Sequence, residues 1–166
     1  MRPHLSISRR TRRTPFSTRV EAAGASGYTV YNHTLLATSF RGIEVDYWHL
    51  CENVQVWDVS CEKQVTLMGP GANQLAQYMT PRDLTLAKVG RCYYLPMCDE
   101  NGNMMNDAVA IKVNDRHWRL SVADSDVLLW AKGLAVGFGL DVEVKEPDIF
   151  PLAVQGPKAE QLMCRV

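Results

Sequence analysis

Residues 90–113 read GRCYYLPMCDENGNMMNDAVAIKV and predict a long β-hairpin. Pro96 in its first strand predicts a bulge or a sheet edge, because proline cannot donate a ladder hydrogen bond. The run 99–102, DENG, is a strong turn signal. Asp107 enters the second strand, predicted at 107–113, as an acid beside apolar residues. A carboxylate there is costly unless it is exposed, paired or functional, so a strand-edge cap and a functional carboxylate both stay open.

The segments around this hairpin predict a mixed succession of strands and helices. Further strands are predicted at residues 27–32, 55–59, 64–68, 117–123, 141–145 and 150–155. Helices are predicted at residues 14–24, 41–54, 70–79, 125–138 and from 157 onward. Strand pairs broken by single helices favour an α+β fold, with a largely antiparallel sheet of split-βαβ character and packed helices.

An internal repeat predicts two similar subdomains. The motif GPGANQL at 69–75 recurs as GPKAEQL at 156–162, and each copy follows a predicted strand and opens a predicted helix. We therefore expect a basic arm with the first helix and strand at 1–40 and an α+β subdomain at 41–148. Residues 149–166 would begin a second, incomplete subdomain, as in a truncated protein.

The composition fits a soluble globular chain. Hydrophobic residues make up 46% of the 166 residues, which allows a real core. The formal net charge of zero does not favour a nucleic-acid partner. No apolar run approaches the roughly 18 residues that a bilayer span needs, so no membrane partner is expected. Five cysteines without a C-x-x-C pair predict free thiols in the cytoplasm, with Cys92 and Cys98 buried in a strand.

Three further patterns limit the function. Residues 1–19 contain six arginines and no acid, which indicates a solvated basic arm, an anion-binding segment or a transit peptide. None of the four histidines lies four residues from another or beside a cysteine pair, so no metal site is predicted. The run 69–72 is not followed by Gly-Lys-Ser/Thr, so it is not a phosphate loop.

The hairpin at 90–113 resembles the folate-binding hairpin of the glycine-cleavage T-protein (aminomethyltransferase) family. That family has a tyrosine strand and then N-x-x-G-G-hydrophobic-hydrophobic-D-D-hydrophobic, and this chain has Tyr94 and then DENGNMMNDA at 99–108. The resemblance implies that Asp107 is the catalytic carboxylate and binds folate. It implies that Tyr94 and Val109 are also cofactor-binding residues.

Two of the departures of this hairpin from the family motif bear on its function. Asn106 stands where the family has its first aspartate, and Asn103 stands at the second glycine. Both departures argue against a standard glycine-cleavage enzyme. Five other stretches resemble the dimethylsulfoniopropionate (DMSP) demethylase branch of the same family. They are RRTRRTPF at 9–16, YTVYNH at 28–33, NVQVWDV at 53–59, ADSDVLL at 123–129 and LAVQGPK at 152–158.

The resemblance implies a tetrahydrofolate-dependent methyltransferase that moves a methyl group from the sulfonium of DMSP to N5 of tetrahydrofolate. Tyr31 is the expected substrate-binding residue, since an aromatic face attracts a cation. Tyr93 and Trp118 offer further aromatic surface for the pteridine, although such residues are more often part of a core. A homodimer stays an option for the full-length form. The alternatives are an aminomethyltransferase, a non-catalytic folate-binding or iron–sulfur-assembly helper, and an inactive fragment.

Overall fold

A computed structural model describes residues 8–166, and its contacts divide the chain into two units. One unit comprises the residues up to Cys61 together with Phe150–Val166, and the other comprises Glu62–Ile149. The predicted boundary after residue 148 lies one residue from the observed one. The predicted boundary after residue 40 differs, because residues 41–61 belong to the first unit. The start of the predicted basic arm, with Arg2, lies outside the described residues.

The chain forms five helices and nine strands within residues 8–166. In order they are α1 (Ser17–Ala22), β1 (Gly27–Tyr31), β2 (Thr34–Ser39), α2 (Ile43–Glu52), β3 (Gln55–Asp58), β4 (Gln64–Met68), α3 (Ala72–Tyr78), β5 (Cys92–Cys98), β6 (Met104–Asn114), β7 (His117–Ser121), α4 (Val127–Gly137), β8 (Glu143–Lys145), β9 (Leu152–Gln155) and α5 (Ala159–Met163). Among the described residues, every helix is too short or too polar to cross a bilayer.

The second unit is a five-stranded antiparallel sheet with the strand order β5-β6-β7-β4-β8. Strands β7 and β8 each pair antiparallel with β4, so they run parallel to each other with β4 between them. Helix α4 connects these two strands, which makes a split βαβ arrangement. The predicted α+β class with largely antiparallel sheets is therefore confirmed.

Helices α3 and α4 pack on one face of this sheet. In α4 the buried positions Val127, Ala131 and Ala135 are spaced four apart and form one apolar stripe. The indole of Trp118 is buried in β7, and its Nε1 donates a 2.7 Å hydrogen bond to Asn73 Oδ1 in α3. The main buried contributions of the sheet to this core come from Val65, Leu67, Leu95, Met97, Ala108, Ala110, Leu120 and Val144.

The first unit contains two two-stranded antiparallel sheets, β1-β2 and β3-β9. Asn32 and His33 join β1 to β2 with φ angles of 47° and 58°, the backbone of a tight hairpin turn. The buried Asn32 side chain donates a 3.0 Å hydrogen bond to the carbonyl of Cys61 and so fixes the turn. Strands β3 and β4 follow one another in the chain, but they lie in different sheets.

The two copies of the repeat form equivalent corners, one in each unit. In the second unit, Gly69 has φ 133°, and a Cβ placed on it would lie 2.7 Å from the carbonyl oxygen of Asp141. The N–H of Gly71 donates a 2.9 Å hydrogen bond to that oxygen. Two residues after Asp141, β8 begins and pairs with β4. Glycine is required here because no side chain fits between the strand end and this carbonyl.

The corner in the first unit repeats this geometry. Gly156 has φ 121° and lies against the carbonyl oxygen of Asn53, which accepts a 3.1 Å hydrogen bond from the N–H of Lys158. Two residues after Asn53, β3 begins and pairs with β9, as β8 does with β4. The motif similarity between 69–75 and 156–162 therefore corresponds to one strand–corner–helix structure that occurs twice.

Substituting the corner glycine should destabilise the second unit. Gly69→Ala places a methyl group against the Asp141 carbonyl and forces a positive φ on alanine, which should cost at least about 2 kcal/mol. Gly133→Ala is the matched control, because Gly133 lies inside α4 and a methyl group added there would meet no other atom within 4 Å. That control should be neutral or stabilising. Thermal unfolding measures both, and equal midpoints for the two variants would contradict the packing described at the corner.

Candidate functional site

The exposed face of the β5-β6 hairpin brings together the three residues that the family resemblance implies as folate contacts. Tyr94 pairs with Val109, and Pro96 pairs with Asp107. Residues directly opposite in an antiparallel pair point to the same face, so Tyr94, Asp107 and Val109 lie on one surface. The fraction of accessible surface that stays exposed is 50% for Tyr94 and 48% for Val109, and Asp107 is exposed as well.

The opposite face of the hairpin is anchored in the core. Leu95, Ala108 and Ala110 are fully or almost fully buried under the helices. Because successive side chains of a strand alternate between faces, burial of Ala108 and Ala110 holds Asp107 and Val109 outward. Strand β6 begins at Met104, earlier than the predicted residue 107. Asp107 is therefore inside the strand and does not cap its end.

The Asp107 carboxylate is available to a ligand. Within residues 8–166 it makes no side-chain hydrogen bond or ion pair. An exposed acceptor on a rigid strand, beside an aromatic ring and an apolar side chain, can bind a flat polar heterocycle by its edge.

A bulge shifts the register just before Asp107. Met97 pairs with Asn106 and Cys98 pairs with Met104, so Met105 is the extra residue of β6. Strand β5 is also an edge strand of the sheet. The expectation from Pro96 of a bulge or an edge is confirmed, since both occur at this end of the hairpin.

The hairpin turn is held by the carboxylate of Asp99. Its Oδ1 accepts hydrogen bonds from the backbone N–H groups of Asn101 and Asn103, at 2.9 and 2.8 Å. Its Oδ2 accepts a 3.0 Å hydrogen bond from Asn103 Nδ2. The side chain of Asn103, and then its backbone N–H, lower the pKa of Asp99 below its ordinary value. Asp99 and Asn103 thus form a paired unit at the tip.

The segment between α3 and β5 fixes the outer edge of the hairpin. Arg82 Nη1 donates a 3.1 Å hydrogen bond to the carbonyl of Tyr94, and its guanidinium lies 5.6 Å from the centre of the Tyr93 ring. The N–H of Lys88 donates a 2.7 Å hydrogen bond to the Tyr93 hydroxyl. Tyr93 packs against the core and Trp118 is buried in it. These two aromatic residues are therefore structural, and the exposed face of the hairpin carries Tyr94.

Tyr31 belongs to the first unit, whereas the hairpin belongs to the second. It is the last residue of β1, pairs with Thr34 and is half-buried. The turn residues Asn32 and His33 follow it, and their fixed positive φ angles hold the end of the strand.

Comparison with known proteins decides the family. The sequence model of the GCVT N-terminal domain matches residues 16–166. The chain belongs to this family. The curated relatives include the dimethylsulfoniopropionate demethylase DmdA of Ruegeria pomeroyi, 54% identical over 159 residues, which are 96% of this chain and 44% of the relative. They also include an aminomethyltransferase of Thermosipho melanesiensis, 27% identical over 69% of this chain and 32% of that protein.

A solved structure confirms the fold. The glycine cleavage system aminomethyltransferase T from Bartonella henselae matches with a TM-score of 0.83 and 21% identity, over 93% of this chain and 43% of that one. At this identity the likeness shows the fold alone. The chain thus spans less than half the length of the relatives that it matches.

The thiols of this GCVT-family chain differ from their predicted environment. All five cysteines are free, as predicted. Cys92 is exposed and Cys98 is half-buried, so the predicted burial of Cys92 is wrong. The physical reason is that position 92 shares the outward face of β5 with Tyr94. Among residues 8–166, no cluster of three His, Cys, Asp or Glu side chains could hold a metal ion.

Acidification should loosen the hairpin tip. The lowered pKa of Asp99 means that its hydrogen bonds contribute above its unfolded pKa of about 3.9 and are lost as the pH falls through the folded pKa. The amides of Asn101 and Asn103 should then lose protection, after correction for intrinsic exchange, as the pH falls through the folded pKa of Asp99. Hydrogen exchange measures this loss, and Asp99→Asn should show no such pH dependence. Unchanged protection of both amides after the Asp99 carboxyl is protonated, with its protonation followed by NMR on the unsubstituted chain, would contradict the role of Asp99.

Proposed function

We propose that the protein containing this chain is a tetrahydrofolate-dependent methyltransferase that demethylates DMSP. The observation that carries this proposal is the 54% identity with a dimethylsulfoniopropionate demethylase over 96% of the chain, against 27% for an aminomethyltransferase over 69%. The proposal that the protein binds folate is supported by the hairpin face that carries Tyr94, Asp107 and Val109.

The proposed reaction is a direct transfer between the two substrates. The lone pair of folate N5 forms a bond to a methyl carbon of the sulfonium, and the carbon–sulfur electron pair stays on sulfur as a neutral thioether. The proton on N5 leaves to solvent, so the products are 3-methylthiopropionate, 5-methyltetrahydrofolate and a proton. No protein nucleophile is needed, and the protein contributes orientation and electrostatic stabilisation.

The hairpin residues would bind the pteridine end of the folate. Tyr94 and Val109 are paired neighbours that present aromatic and aliphatic surface for the flat ring. Asp107 lies two residues before Val109 on the same face of β6. Its carboxylate would accept hydrogen bonds from the N–H groups at the ring edge. A carboxylate on this strand also stabilises the positive charge that develops on N5 as the methyl group transfers.

Tyr31 is the proposed contact for the sulfonium. A trialkylsulfonium is a soft cation without N–H or O–H donors, so an aromatic face is the natural protein partner for it. Tyr31 lies at the rigid end of β1, before the turn fixed by Asn32. Replacing this ring should weaken DMSP binding more than it weakens folate binding.

Aminomethyl transfer is the second candidate. The aminomethyltransferase relatives favour it. The asparagines at 103 and 106, where the glycine-cleavage motif has glycine and aspartate, speak against it. Purified protein offered DMSP or an aminomethyl-lipoyl donor, each with tetrahydrofolate, separates the two. Folate binding without transfer from either donor would favour the non-catalytic helper.

Asp107→Asn should lower methyl transfer by at least about 100-fold in the intact protein, because it removes an oriented charge beside the developing cation. Glu100→Gln is the matched control, since Glu100 is an exposed acid at the tip of the same hairpin and off the proposed face. The rate of 5-methyltetrahydrofolate formation is the measurement. Full activity of Asp107→Asn would overturn the assignment of this carboxylate, and an equal loss in Glu100→Gln would show a general charge effect.

A further inference from the structure

Asn106 lies beside Asp107 and points to the other face of β6. It is 5% exposed, and it pairs in register with the buried Met97. Its Oδ1 accepts a 3.2 Å hydrogen bond from the N–H of Ala123, and its Nδ2 donates a 3.1 Å hydrogen bond to the carbonyl of Ala123. Nδ2 also donates a 2.8 Å hydrogen bond to Ser125 Oγ. One side chain thus joins β6 to the loop between β7 and α4.

This set of contacts requires an amide. A carboxamide carries an acceptor and a two-proton donor, and Asn106 uses both on the backbone of Ala123. An ionised carboxylate keeps the acceptor and can accept from the Ser125 hydroxyl, but it has no proton for the Ala123 carbonyl. Its charge would also be buried against a carbonyl oxygen, which disfavours the ionised form.

The hydrogen bonds of Asn106 act where β6 is bordered by a bulge and by a cavity. The bulge at Met105 interrupts the ladder immediately before Asn106. A cavity of about 150 Å³ lies beside it. The residues that line this cavity include Met97, Met105, Asn106, Val127 and Trp130. Beside this cavity, the polar contacts of Asn106 act together with the packing of the buried Ala108 to fix the strand.

We propose that Asn106 is a positioning residue for the Asp107 carboxylate. By joining β6 to Ala123 and Ser125, it sets where the strand leaves the bulge and therefore where the next side chain projects on the exposed face. With the contacts of this chain the role needs the carboxamide, because a carboxylate has no proton for the Ala123 carbonyl. The inference rests on the proposed function, because it takes Asp107 as the folate contact.

The test measures tetrahydrofolate dissociation constants in the intact protein as a function of pH. Asn106→Asp should weaken binding by about tenfold or more at pH 8, the effect of leaving buried partners unsatisfied. The pKa of the new buried carboxyl is raised, so its protonated form, which regains a donor, predominates at lower pH. The ratio of the dissociation constant of Asn106→Asp to that of the unsubstituted protein should fall at least about threefold between pH 8 and pH 5.5. Asn114→Asp is the control, because its Oδ1 only accepts from the N–H of Arg116, and its affinity should be unchanged.

Ser125→Ala provides a second variant that keeps the fold. It removes one acceptor of Asn106 and should weaken folate binding by about three- to fivefold. Thermal unfolding at each pH identifies the conditions under which every variant is folded. Unchanged affinity in folded Asn106→Asp, or a loss that does not vary with pH, overturns the positioning role. Failure of the unsubstituted protein to bind tetrahydrofolate overturns the proposed function instead, and the positioning role falls with it.

Discussion

The register of the β5-β6 hairpin is the constraint on which the rest of the second unit depends. A shift of one residue would turn Asp107 into the core and Ala108 outward, since side chains alternate along a strand. Two devices act against such a slip. The Asp99 carboxylate holds the turn, and Asn106 holds β6 just past the bulge. The buried face supplies the free energy of folding, and these polar contacts determine which residues remain outside.

The repeated corner explains how one sequence pattern serves both units. At Gly69 and again at Gly156, a strand ends against a carbonyl that precedes its antiparallel neighbour, and a short helix follows. In the second unit β4 has strands on both sides, whereas β9 is paired with β3 alone among the described residues. The same local structure therefore supports a wider sheet in one unit than in the other.

The sequence predicted most elements because their signals were local. Alternation, turn residues and the spacing in α4 placed the strands and helices to within a few residues. Strand β2 was missed, because its turn uses Asn32 and His33 instead of a glycine, and Leu35-Leu36 interrupts alternation. Strand pairing was harder to predict, because no local feature of the sequence shows that β3 and β4 lie in different sheets. Only the register shows that Tyr94 faces the same way as Asp107, and the role of Asn106 depends on a loop 17 residues away.

The most direct test of this account is a crystal structure of the intact protein with a bound reduced folate. The account predicts that the pteridine lies against Tyr94 and Val109. It also predicts that a carboxylate oxygen of Asp107 lies within hydrogen-bonding distance of a ring-edge nitrogen, about 2.7–3.2 Å. A folate bound elsewhere, with the outward face of the hairpin empty, would contradict the central claim that this face is the folate site.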